Sequence, residues 1–542
     1  MASSLPLMLS LGIVLSASSA VDLANRTDED SRSGGGAFEI RVIDRETKRG
    51  IPLAEVVTVD DELYVTDSAG RVAIEEPLLT GETVFFYVRS PGYRIRKDGF
   101  GIDGVRISLV AGGSHTIELD RIVPAERLYR ITGRNLYRDS IRLGKTLPEG
   151  YSPETDAVGN GRVVGQDSVQ VASYRGSLRW FWGDTNRLSY PLGLFRTAGA
   201  VTPSAEVAGV SIESGLPLKY FTDSQGFARA MADHPNREGV MWIDGVCTVM
   251  DGDQEVLIAH YSRRKGLAEE LEHGLLRYDD SRETFQILKV LDLTERWRFV
   301  RDHPIHVRHD DVSYLMFGNP FPTTRVPATL SAITDSAKYE SYTCEQQGGS
   351  QSAESVTDIA SIRLPHRDSD GKLVWQWQAS PPMTQQLEQK WLAAKLISDQ
   401  EVRFLPQEFR IEQTELKTGQ RLEMHGGTVY FNAWRKRWVM IAILNGMSSK
   451  ADSFLGEVYY SESESPQGPF ERAFKIATHP KQSFYNPCHH PFFDAEGGRV
   501  VYFEGTYTNS FTTSPATPGY NYNQLMYRLD LRHPDVARVF DP

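Results

Sequence analysis

The chain has 542 residues, of which 40% are hydrophobic and 24% are charged, proportions that are ordinary for a globular protein. Its length predicts more than one domain, because single hydrophobic cores stop growing near about 250–300 residues. Lys and Arg total 59 against 71 Asp and Glu, and the resulting net charge of −12 argues against a nucleic-acid partner.

The N-terminus has the pattern of an export signal. Leu5–Leu15 is an apolar run too short to span a bilayer, and the small residues Ser16–Ala20 follow it. We expect residues 1–20 to be a signal peptide and the protein to be secreted, periplasmic or on the cell surface. A disordered apolar N-terminus is the alternative, because no Lys or Arg precedes the run. No later stretch is long and apolar enough for a membrane span. Residues 21–36 are polar and end in Ser33-Gly34-Gly35-Gly36, the composition of a flexible linker.

The cysteines argue against two kinds of site. Cys247, Cys344 and Cys488 are widely spaced and odd in number, so they predict no disulfide framework. The absence of a Cys-x-x-Cys pair from the sequence also argues against a thiolate zinc site.

Residues 37–122 consist of short runs rich in β-branched and aromatic residues, separated by turn residues. The runs are FEIRVID, AEVVTV, ELYVTD, RVAI, ETVFFYV, RISLV and HTIEL, and their spacing predicts a seven-strand β-sandwich. Val42–Asp44, Gly50–Ala54, Thr66–Arg71 and Ser90–Tyr93 resemble motifs of the carboxypeptidase regulatory-like, or transthyretin-like, sandwich. Turn chemistry explains these motifs without any site, so we interpret this domain as an accessory or spacer.

Residues 123–164 have few periodic apolar residues and are expected to be a linker packed on the next domain. From residue 165 to residue 542 one type of hairpin recurs, and radial repetition of such units predicts a five-bladed β-propeller. The five hairpins span residues 165–185, 243–262, 303–319, 425–446 and 486–507. The predicted fold is therefore all-β, an N-terminal β-sandwich followed by a five-bladed β-propeller, with a sandwich of hairpins as the alternative for the second part. Residues 383–397 are expected to form a helical insert at the rim.

The first hairpin brings two acidic residues together. A two-residue turn at Arg175-Gly176 gives every cross-strand pair a residue-number sum of 351, so Asp167 lies opposite Asp184. Two carboxylates placed this way destabilise a sheet unless a cation or a raised pKa relieves the repulsion, which favours a functional role. The alternative is that both residues cap strand ends and bond to loop amides.

A third carboxylate is expected at the same rim. When Asp494 is paired with Arg499 in the fifth hairpin, Glu504 lies opposite His489. Glycoside hydrolysis needs a proton donor and a second carboxylate that acts as base or nucleophile. The candidate catalytic residues are therefore Asp167 as base or nucleophile, its partner across the hairpin as the group that tunes its pKa, and Glu504 as the acid.

Other polar side chains lie near the starts of the hairpins or just after inner strands. The candidate substrate-binding residues are His303, His306, His425, Asn486, His489, His490, Arg187 and Tyr507. The histidines can bind sugar hydroxyls, hold a metal or be structural. Arg187, Arg196 and Arg325 can pair with a carboxylate or sulfate of an acidic glycan, or can be solvated loop charges. No cofactor is predicted, and a structural calcium in the propeller channel stays open.

The first hairpin resembles a known family. Gly165–Ser168 followed by Phe181–Thr185 is similar to the opening blade of the family named domain of unknown function 4185, whose members are five-bladed propellers and include glycoside hydrolases acting on arabinan. Ser461–Phe470 resembles a blade strand of the wider clan of arabinanases and β-xylosidases. This resemblance touches the region 165–530 and carries over only Asp167 and the acidic residue paired with it.

The first functional hypothesis is an exported glycoside hydrolase acting on a polysaccharide at the central cleft of the propeller. The second is a polysaccharide lyase, with His490 as base and Tyr507 as acid. The third is a carbohydrate-binding surface protein without catalysis, because a fold alone does not establish an activity. The sequence predicts neither the sugar nor the oligomeric state.

Overall fold

The computed structural model describes residues 36–190, 197–203, 212–294, 296–346, 363–446 and 454–541. The predicted signal peptide, residues 21–35 of the predicted linker and Arg196 lie outside these ranges. No helix within them combines the length and apolar character needed to cross a bilayer.

Two facing sheets form the N-terminal sandwich. The described part of residues 38–121 contains β1 (Phe38–Asp44), β2 (Glu55–Thr58), β3 (Leu63–Val65), β4 (Arg71–Ile74), β5 (Thr83–Arg89), β6 (Tyr93–Arg94), β7 (Gly104–Ser108) and β8 (Ser114–Arg121). One sheet has the order β4-β1-β8-β6 and the other β3-β2-β5-β7. Alternate side chains of both sheets, such as Ile40, Val56 and Phe86, form one buried core. Each of the seven predicted runs overlaps one of these strands, and β6 is a short addition.

The rest of the chain is also mostly strand. Its strands are β9 (Glu126–Arg130), β10 (Val163–Gln166), β11 (Gln170–Tyr174), β12 (Ser177–Trp182), β13 (Thr185–Arg187), β14 (Ala198–Pro203), β15 (Lys219–Tyr220), β16 (Val240–Asp251), β17 (Gln254–Lys265), β18 (Glu269–Asp279), β19 (Thr284–Leu291), β20 (Ile305–His309), β21 (Val312–Phe317), β22 (Thr324–Pro327), β23 (Glu340–Thr343), β24 (Gln376–Gln378), β25 (Gln407–Glu412), β26 (Glu415–Arg421), β27 (Met424–Asn432), β28 (Arg437–Leu444), β29 (Glu457–Ser463), β30 (Arg472–Thr478), β31 (Ser483–His489), β32 (Val500–Thr508) and β33 (Asn523–Asp530).

Short helices connect these strands. The α-helices are Arg138–Arg142, Pro153–Val158, Leu330–Ile333, Gln385–Ala393 and Pro534–Phe540, and the 3₁₀ turns include Asn160–Arg162, Arg296–Arg298, Ser336–Lys338, Asp399–Glu401, Pro491–Phe493 and Glu496–Gly498. The helix Gln385–Ala393 lies inside the insert for which the sequence predicts helix.

From residue 126 on, the described residues form five sheets of four to six strands, besides the two-stranded pair β10–β13. The sheets, called first to fifth below, have the orders β11-β12-β14-β15, β16-β17-β18-β19, β20-β21-β22-β23-β24, β26-β25-β30-β29-β28-β27 and β31-β32-β33-β9. Each contains one of the five predicted hairpins.

The five sheets form a closed ring, because each one packs on the next and the fifth packs on the first. One buried core lies between each pair of neighbours. In ring order these cores join Phe181 with Leu257, Ile258 with Leu315, Phe321 with Met440, Ile441 with Phe503, and Cys488 with Trp180. Radial packing of sheets is the architecture of a β-propeller, and the all-β propeller prediction is confirmed.

Strand β28 explains why the hairpins carry nearly continuous apolar runs. Val439 and Ile441 belong to the core shared with the fifth sheet, whereas Met440 and Ala442 belong to the core shared with the third. Successive side chains of a strand point to opposite faces, so a sheet covered on both faces needs apolar residues at every position.

Strand β9 completes the fifth sheet from the N-terminal side of the ring. Leu525 of β33 pairs with Arg130 of β9, so a strand that precedes the first sheet in the chain closes the last one. The segment is predicted to be linker because Glu126–Arg130 lacks apolar alternation. All five of its residues are nevertheless buried, and the charged ones are held by bonds such as that from Nε of Arg127 to O of Pro52, 3.1 Å.

The turn residues of the sandwich also dock it onto the ring. Oδ2 of Asp67 accepts a 2.7 Å hydrogen bond from the amide of Ser140, in the helix that precedes the first sheet. Oη of Tyr520, next to the fifth sheet, donates to the carbonyl of Thr66 at 2.6 Å. The sandwich therefore packs directly against the fifth sheet.

Candidate active site

The first hairpin has the register that the sequence predicts. Gln170 pairs with Phe181 and Tyr174 with Ser177, each with the sum 351. The turn residues Arg175 and Gly176 both have positive φ, 49° and 72°, as a two-residue hairpin turn of this hand requires.

Beyond the strands the same pairing continues to Asp167 and Asp184. The amide of Asp167 donates to the carbonyl of Asp184 at 3.3 Å, and the amide of Gly183 donates to the carbonyl of Asp167 at 2.8 Å. Both acidic side chains are partly exposed. The two carboxylates therefore lie on facing segments at the end of the hairpin away from its turn, as predicted.

The surroundings of Asp167 shift the pKa of its carboxyl group into the neutral range. Burial among protein atoms and the charge of Asp184 raise its pKa to about 7, while hydrogen bonds from Tyr485 and Tyr522 act in the opposite direction. The bond from Oη of Tyr485 to Oδ2 of Asp167 is 2.7 Å long. Burial also raises the pKa of Asp184, whose Oδ1 accepts a 2.9 Å bond from Nε1 of Trp242.

A second pair of carboxylates, Asp244 and Asp302, lies where the second and third sheets meet. Oδ1 of Asp244 accepts bonds from the amide of Asp302 at 2.8 Å, the amide of Gly245 at 2.8 Å and Nε2 of Gln170 at 3.1 Å. Burial, and then the neighbouring charge of Asp244, raise the pKa of Asp302 to about 8, against the effect of Arg301. Oδ2 of Asp302 is a buried oxygen without a hydrogen-bond partner in the described part of the chain.

β-Bulges place polar side chains at one level of the ring. The register shifts between Asp244 and Cys247 in β16, between Met424 and Gly426 in β27, and between Tyr485 and Cys488 in β31. Each shift adds one residue to an inner strand. Such a bulge re-aims side chains and is common beside active sites.

The polar groups at this level link all five sheets around a central opening. Gln170 of the first sheet bonds to Asp244 of the second, which bonds to the segment before the third. A Cβ atom on Gly426 of the fourth sheet would lie 3.4 Å from Oδ1 of Asn319 and 3.5 Å from Oδ1 of Asn486. Nδ2 of Asn486, in the fifth sheet, donates to Oγ of Ser168 at 2.7 Å. Ser168 lies just before the first sheet, so this bond connects the fifth sheet to the first.

The register predicted for the fifth hairpin is wrong by one residue. Glu504 lies opposite Cys488, not His489, because two 3₁₀ turns, Pro491–Phe493 and Glu496–Gly498, replace the tight turn. A shift of one residue moves a side chain to the other face of a sheet.

Glu504 is consequently fully buried, at 0% exposure, in the wall between the fifth and first sheets. Its Oε1 lies 2.8 Å from Nε2 of His490, which is also at 0% exposure. Burial raises the pKa of Glu504 to about 8 and lowers that of His490 to about 3, so both groups are neutral near pH 7. Neither side chain reaches the opening, which corrects the assignment of Glu504 as catalytic acid and of His490 as substrate-binding residue or lyase base.

Two further candidates are interior residues. Tyr507 is 2% exposed, and its Oη shares a 2.9 Å bond with Oγ1 of Thr517. His489 is 1% exposed and bonds through Nε2 to Oδ1 of Asp494 at 2.8 Å. These are structural contacts, and they correct the assignment of both residues to substrate binding and of Tyr507 to the lyase acid.

Three predicted residues keep exposed side-chain surface. Asn486 is partly exposed, and His425 is exposed beside Gly426. His303 is partly exposed, its Nδ1 lies 3.5 Å from Sγ of Cys488, and burial together with His490 lowers its pKa to about 3.

The other candidates are farther from these groups. His306 is exposed three residues further along the chain from His303, and burial lowers its pKa against the opposing effects of Glu255 and Thr248. Arg187 donates to the carbonyl of Ala228 and stacks on Phe227, 5.0 Å from the ring centre. Arg325 is ion-paired with Glu340 at 2.7 Å, a structural contact that accounts for its charge.

A cleft of about 1610 Å³ opens beside this site between the third and fourth sheets. Asn319 and Arg301 line its third-sheet side, and Met424 and His425 its fourth-sheet side. The N-terminal end of the helix Gln385–Ala393 also lines it, so the insert predicted at the rim borders this cleft.

Metal-ligating side chains do not cluster in the described residues. Among them, no group of three or more His, Cys, Asp or Glu side chains is arranged to hold an ion. Calcium also binds backbone carbonyls and water, so the structural calcium in the propeller channel stays an open prediction.

Sequence reasoning missed Asp244 and Asp302, although a signal was present. Ile243-Asp244-Gly245 starts the second hairpin as Gln166-Asp167-Ser168 starts the first. Asp302 directly precedes the third hairpin, so acidic residues recur at three successive hairpin starts.

Solved structures resemble the chain at low sequence identity. A crystal structure from Bacteroides ovatus ATCC 8483 is 14% identical, with a TM-score of 0.39, over 67% of this chain and 85% of that one. A GH43_1 enzyme from Xanthomonas citri complexed with xylose is 12% identical, with a TM-score of 0.31, over 67% and 86%. An exo-1,5-α-L-arabinanase from a bovine ruminal metagenomic library is 9% identical, with a TM-score of 0.31, over 68% and 93%.

No protein-family model matches the chain, and no curated protein sequence matches it. The resemblances to the domain of unknown function 4185 and to the carboxypeptidase regulatory-like sandwich therefore stay predictions.

Proposed function

We propose that this chain is a glycoside hydrolase that cleaves a polysaccharide at the central opening of the ring. The observation that carries the proposal is the pairing of Asp167 with Asp184 at the end of the first hairpin. Like charges in this position destabilise a sheet, and the side-chain hydrogen bonds shown for the two carboxylates come from neutral groups, those of Tyr485 and Trp242. A pair kept at this cost is typical of acid–base catalysis.

Asp167 is the general base or nucleophile and Asp184 raises its pKa. Asp167 is partly exposed, and two tyrosine hydroxyls, those of Tyr485 and Tyr522, orient its carboxylate. Removing a proton from water, or attacking a sugar carbon, requires the deprotonated form, which predominates above pH about 7.

We assign Asp302, in place of the buried Glu504, as the proton donor. Its raised pKa of about 8 keeps it protonated at neutral pH, and one of its oxygens has no partner in the described residues. Asp302 has a φ of 54°, a conformation that non-glycine residues seldom adopt and that is frequent at functional sites. Its partner Asp244 binds Gln170, which follows Asp167 by three residues, so the two carboxylate pairs are neighbours.

Export is part of the same proposal. A polysaccharide is too large to enter a cell intact. The apolar run Leu5–Leu15, followed by the small residues Ser16–Ala20, has the pattern of a signal peptide. N-terminal sequencing of the protein recovered from outside the cytoplasm tests this part, with a new N-terminus near residue 21 as the expected result.

The experiment that tests the function is a screen of the purified protein over neutral, uronic and sulfated polysaccharides. New reducing ends and ultraviolet absorbance are measured in parallel, for the wild type, Asp167→Asn and Asp310→Asn. Asp310 is a matched control, because its side chain is 88% exposed in the β20–β21 turn.

Reducing ends without absorbance, lost in Asp167→Asn and kept in Asp310→Asn, are the expected result. Absorbance from an unsaturated product would instead identify a lyase. Glycan binding without any product from the whole panel would identify a binding protein, and either outcome would overturn the proposal.

A further inference from the structure

The cleft between the third and fourth sheets has a charge opposite to that of the whole chain. We call it the arginine cleft. The charged residues that line it are Arg296, Arg298, Arg301, Arg363, Glu345 and Glu423. No Lys or Asp is among its described lining residues, so arginines outnumber carboxylates there, whereas the chain as a whole has a net charge of −12. A cleft lined mainly by one sign of charge concentrates ligands of the other sign.

Both carboxylates of the arginine cleft have partners inside the protein. Oε2 of Glu345 is ion-paired with Nε of Arg363 at 2.6 Å, and burial raises the pKa of Glu345 to about 7. Glu423 accepts bonds from Gln386 at 2.7 Å and from Gln389 at 3.0 Å. Glu345 is thus partly neutral near pH 7, which leaves the cleft cationic.

Arg301 lies where the arginine cleft meets the carboxylates of the candidate active site. It directly precedes Asp302, and its charge lowers the pKa of both Asp244 and Asp302. Its Nη2 donates to the carbonyl of Arg296 at 3.1 Å, and it forms no ion pair with any described residue. Its remaining N–H groups are the donors that suit a planar carboxylate or a sulfate.

The arginine cleft also has the size and surface for a chain of sugars. Its volume of about 1610 Å³ exceeds the roughly 300–1,000 Å³ of common small-molecule pockets. Trp297, which is partly exposed, supplies aromatic lining of the kind on which sugar rings stack.

We propose that the arginine cleft binds acidic units of the polysaccharide, through carboxylate or sulfate groups, and that Arg301 contacts the acidic group next to the point of cleavage. This deepens the proposed function by naming an anionic glycan as the substrate class. Only the statement about the point of cleavage rests on the proposed function, because binding to the cleft is measured separately.

The test is affinity electrophoresis through gels that contain polygalacturonate, dextran sulfate or neutral dextran, at several salt concentrations. The proteins compared are the wild type, Arg301→Gln, Arg301→Lys, Arg308→Gln and Asp167→Asn. Arg308→Gln removes the same charge from a side chain that is 75% exposed and absent from the cleft lining.

The wild type is expected to be retarded by at least one polyanion and not by neutral dextran, with retardation that weakens as salt rises. Arg301→Gln is expected to raise the dissociation constant about tenfold, as the loss of one charge-assisted contact does. Arg301→Lys is expected to retain part of the affinity, and Arg308→Gln all of it. Retardation by only one of the two polyanions identifies the acidic group.

No retardation of the wild type by either polyanion would overturn the inference, as would equal effects of Arg301→Gln and Arg308→Gln. If the Arg301→Gln protein does not fold, the salt dependence and the neutral-dextran comparison of the wild type still decide. Asp167→Asn is expected to bind polyanions as the wild type does. Polyanion binding in a wild type that cleaves nothing would therefore refute the proposed function and leave this inference standing.

Discussion

Oη of Tyr485 lies 2.7 Å from Oδ2 of Asp167 and joins strand β31 of the fifth sheet to the start of the first hairpin. The two residues are 318 positions apart in the chain and meet only because the ring closes. A hydrogen bond donated to a carboxylate favours its charged form, so Tyr485 opposes the burial and the neighbouring charge that raise the pKa of Asp167.

Replacing Tyr485 by Phe is expected to move the acidic limb of the kcat/KM–pH profile to higher pH. Activity requires deprotonated Asp167, so it rises as pH rises through a pKa of about 7. Loss of the tyrosine bond raises that pKa further. Tyr507→Phe is the matched control, because it removes a tyrosine hydroxyl that bonds to Thr517 and not to Asp167. An acidic limb that stays in place or moves down in Tyr485→Phe would contradict this role.

Asp184→Asn is expected to shift the same limb in the opposite direction. The charge of Asp184 raises the pKa of Asp167, so its removal lowers that pKa and extends activity to lower pH. The measurement is the pH dependence of kcat/KM from pH 5 to pH 9, which reports groups of the free enzyme. A limb displaced to higher pH would show that Asp184 acts in some other way.

Asp302→Asn is expected to remove the alkaline limb and to slow hydrolysis by about 10²–10⁴-fold, the usual contribution of a general acid. In the wild type, activity should fall as pH rises through about 8, where Asp302 loses its proton. Asn tolerates a φ of 54°, so the backbone is preserved. Aryl glycosides with acidic leaving groups need little protonation and should be affected far less. Equal losses on both substrates would exclude Asp302 as the donor.

Glu504→Gln is expected to keep activity and to change the pH dependence of stability. The pKa of Glu504 is raised from 4.5 to about 8 in the folded protein, so its contribution to the free energy of unfolding is lost as pH rises between those values. The Gln amide cannot ionise and still donates to His490. Urea unfolding at pH 5 and pH 8 should show a larger loss for the wild type than for Glu504→Gln.

The control for this comparison is Glu464→Gln, whose side chain is 84% exposed. It should follow the wild type at both pH values. A Glu504→Gln protein that folds normally but loses hydrolysis would restore Glu504 as a catalytic candidate.

The two hairpins show what the sequence can and cannot specify. Arg175-Gly176 favours a two-residue turn, and this local preference fixes the register as far as Asp167 and Asp184. In the fifth hairpin two 3₁₀ turns, Pro491–Phe493 and Glu496–Gly498, lengthen the connection, so counting from an assumed tight turn misplaces Glu504 by one residue. Bulges and long turns depend on packing against neighbouring sheets, which local patterns do not encode.

Contacts between different sheets are the other feature that the sequence does not predict. Asp244 and Asp302 are 58 residues apart and meet across two sheets. Their individual patterns, an acid before Gly245 and an acid before His303, are equally typical of turns. The same holds for Arg301, whose significance appears only once the cleft beside it is formed.

The most direct test of the central claim is the rate of reducing-end release by Asp167→Asn, compared with Asp310→Asn, on a polysaccharide that the wild type cleaves. We predict a loss of at least about 10²-fold for Asp167→Asn and no loss for Asp310→Asn, because only the first removes the base or nucleophile. Equal activity of a folded Asp167→Asn protein and the wild type would contradict the assignment of this carboxylate pair as the catalytic centre.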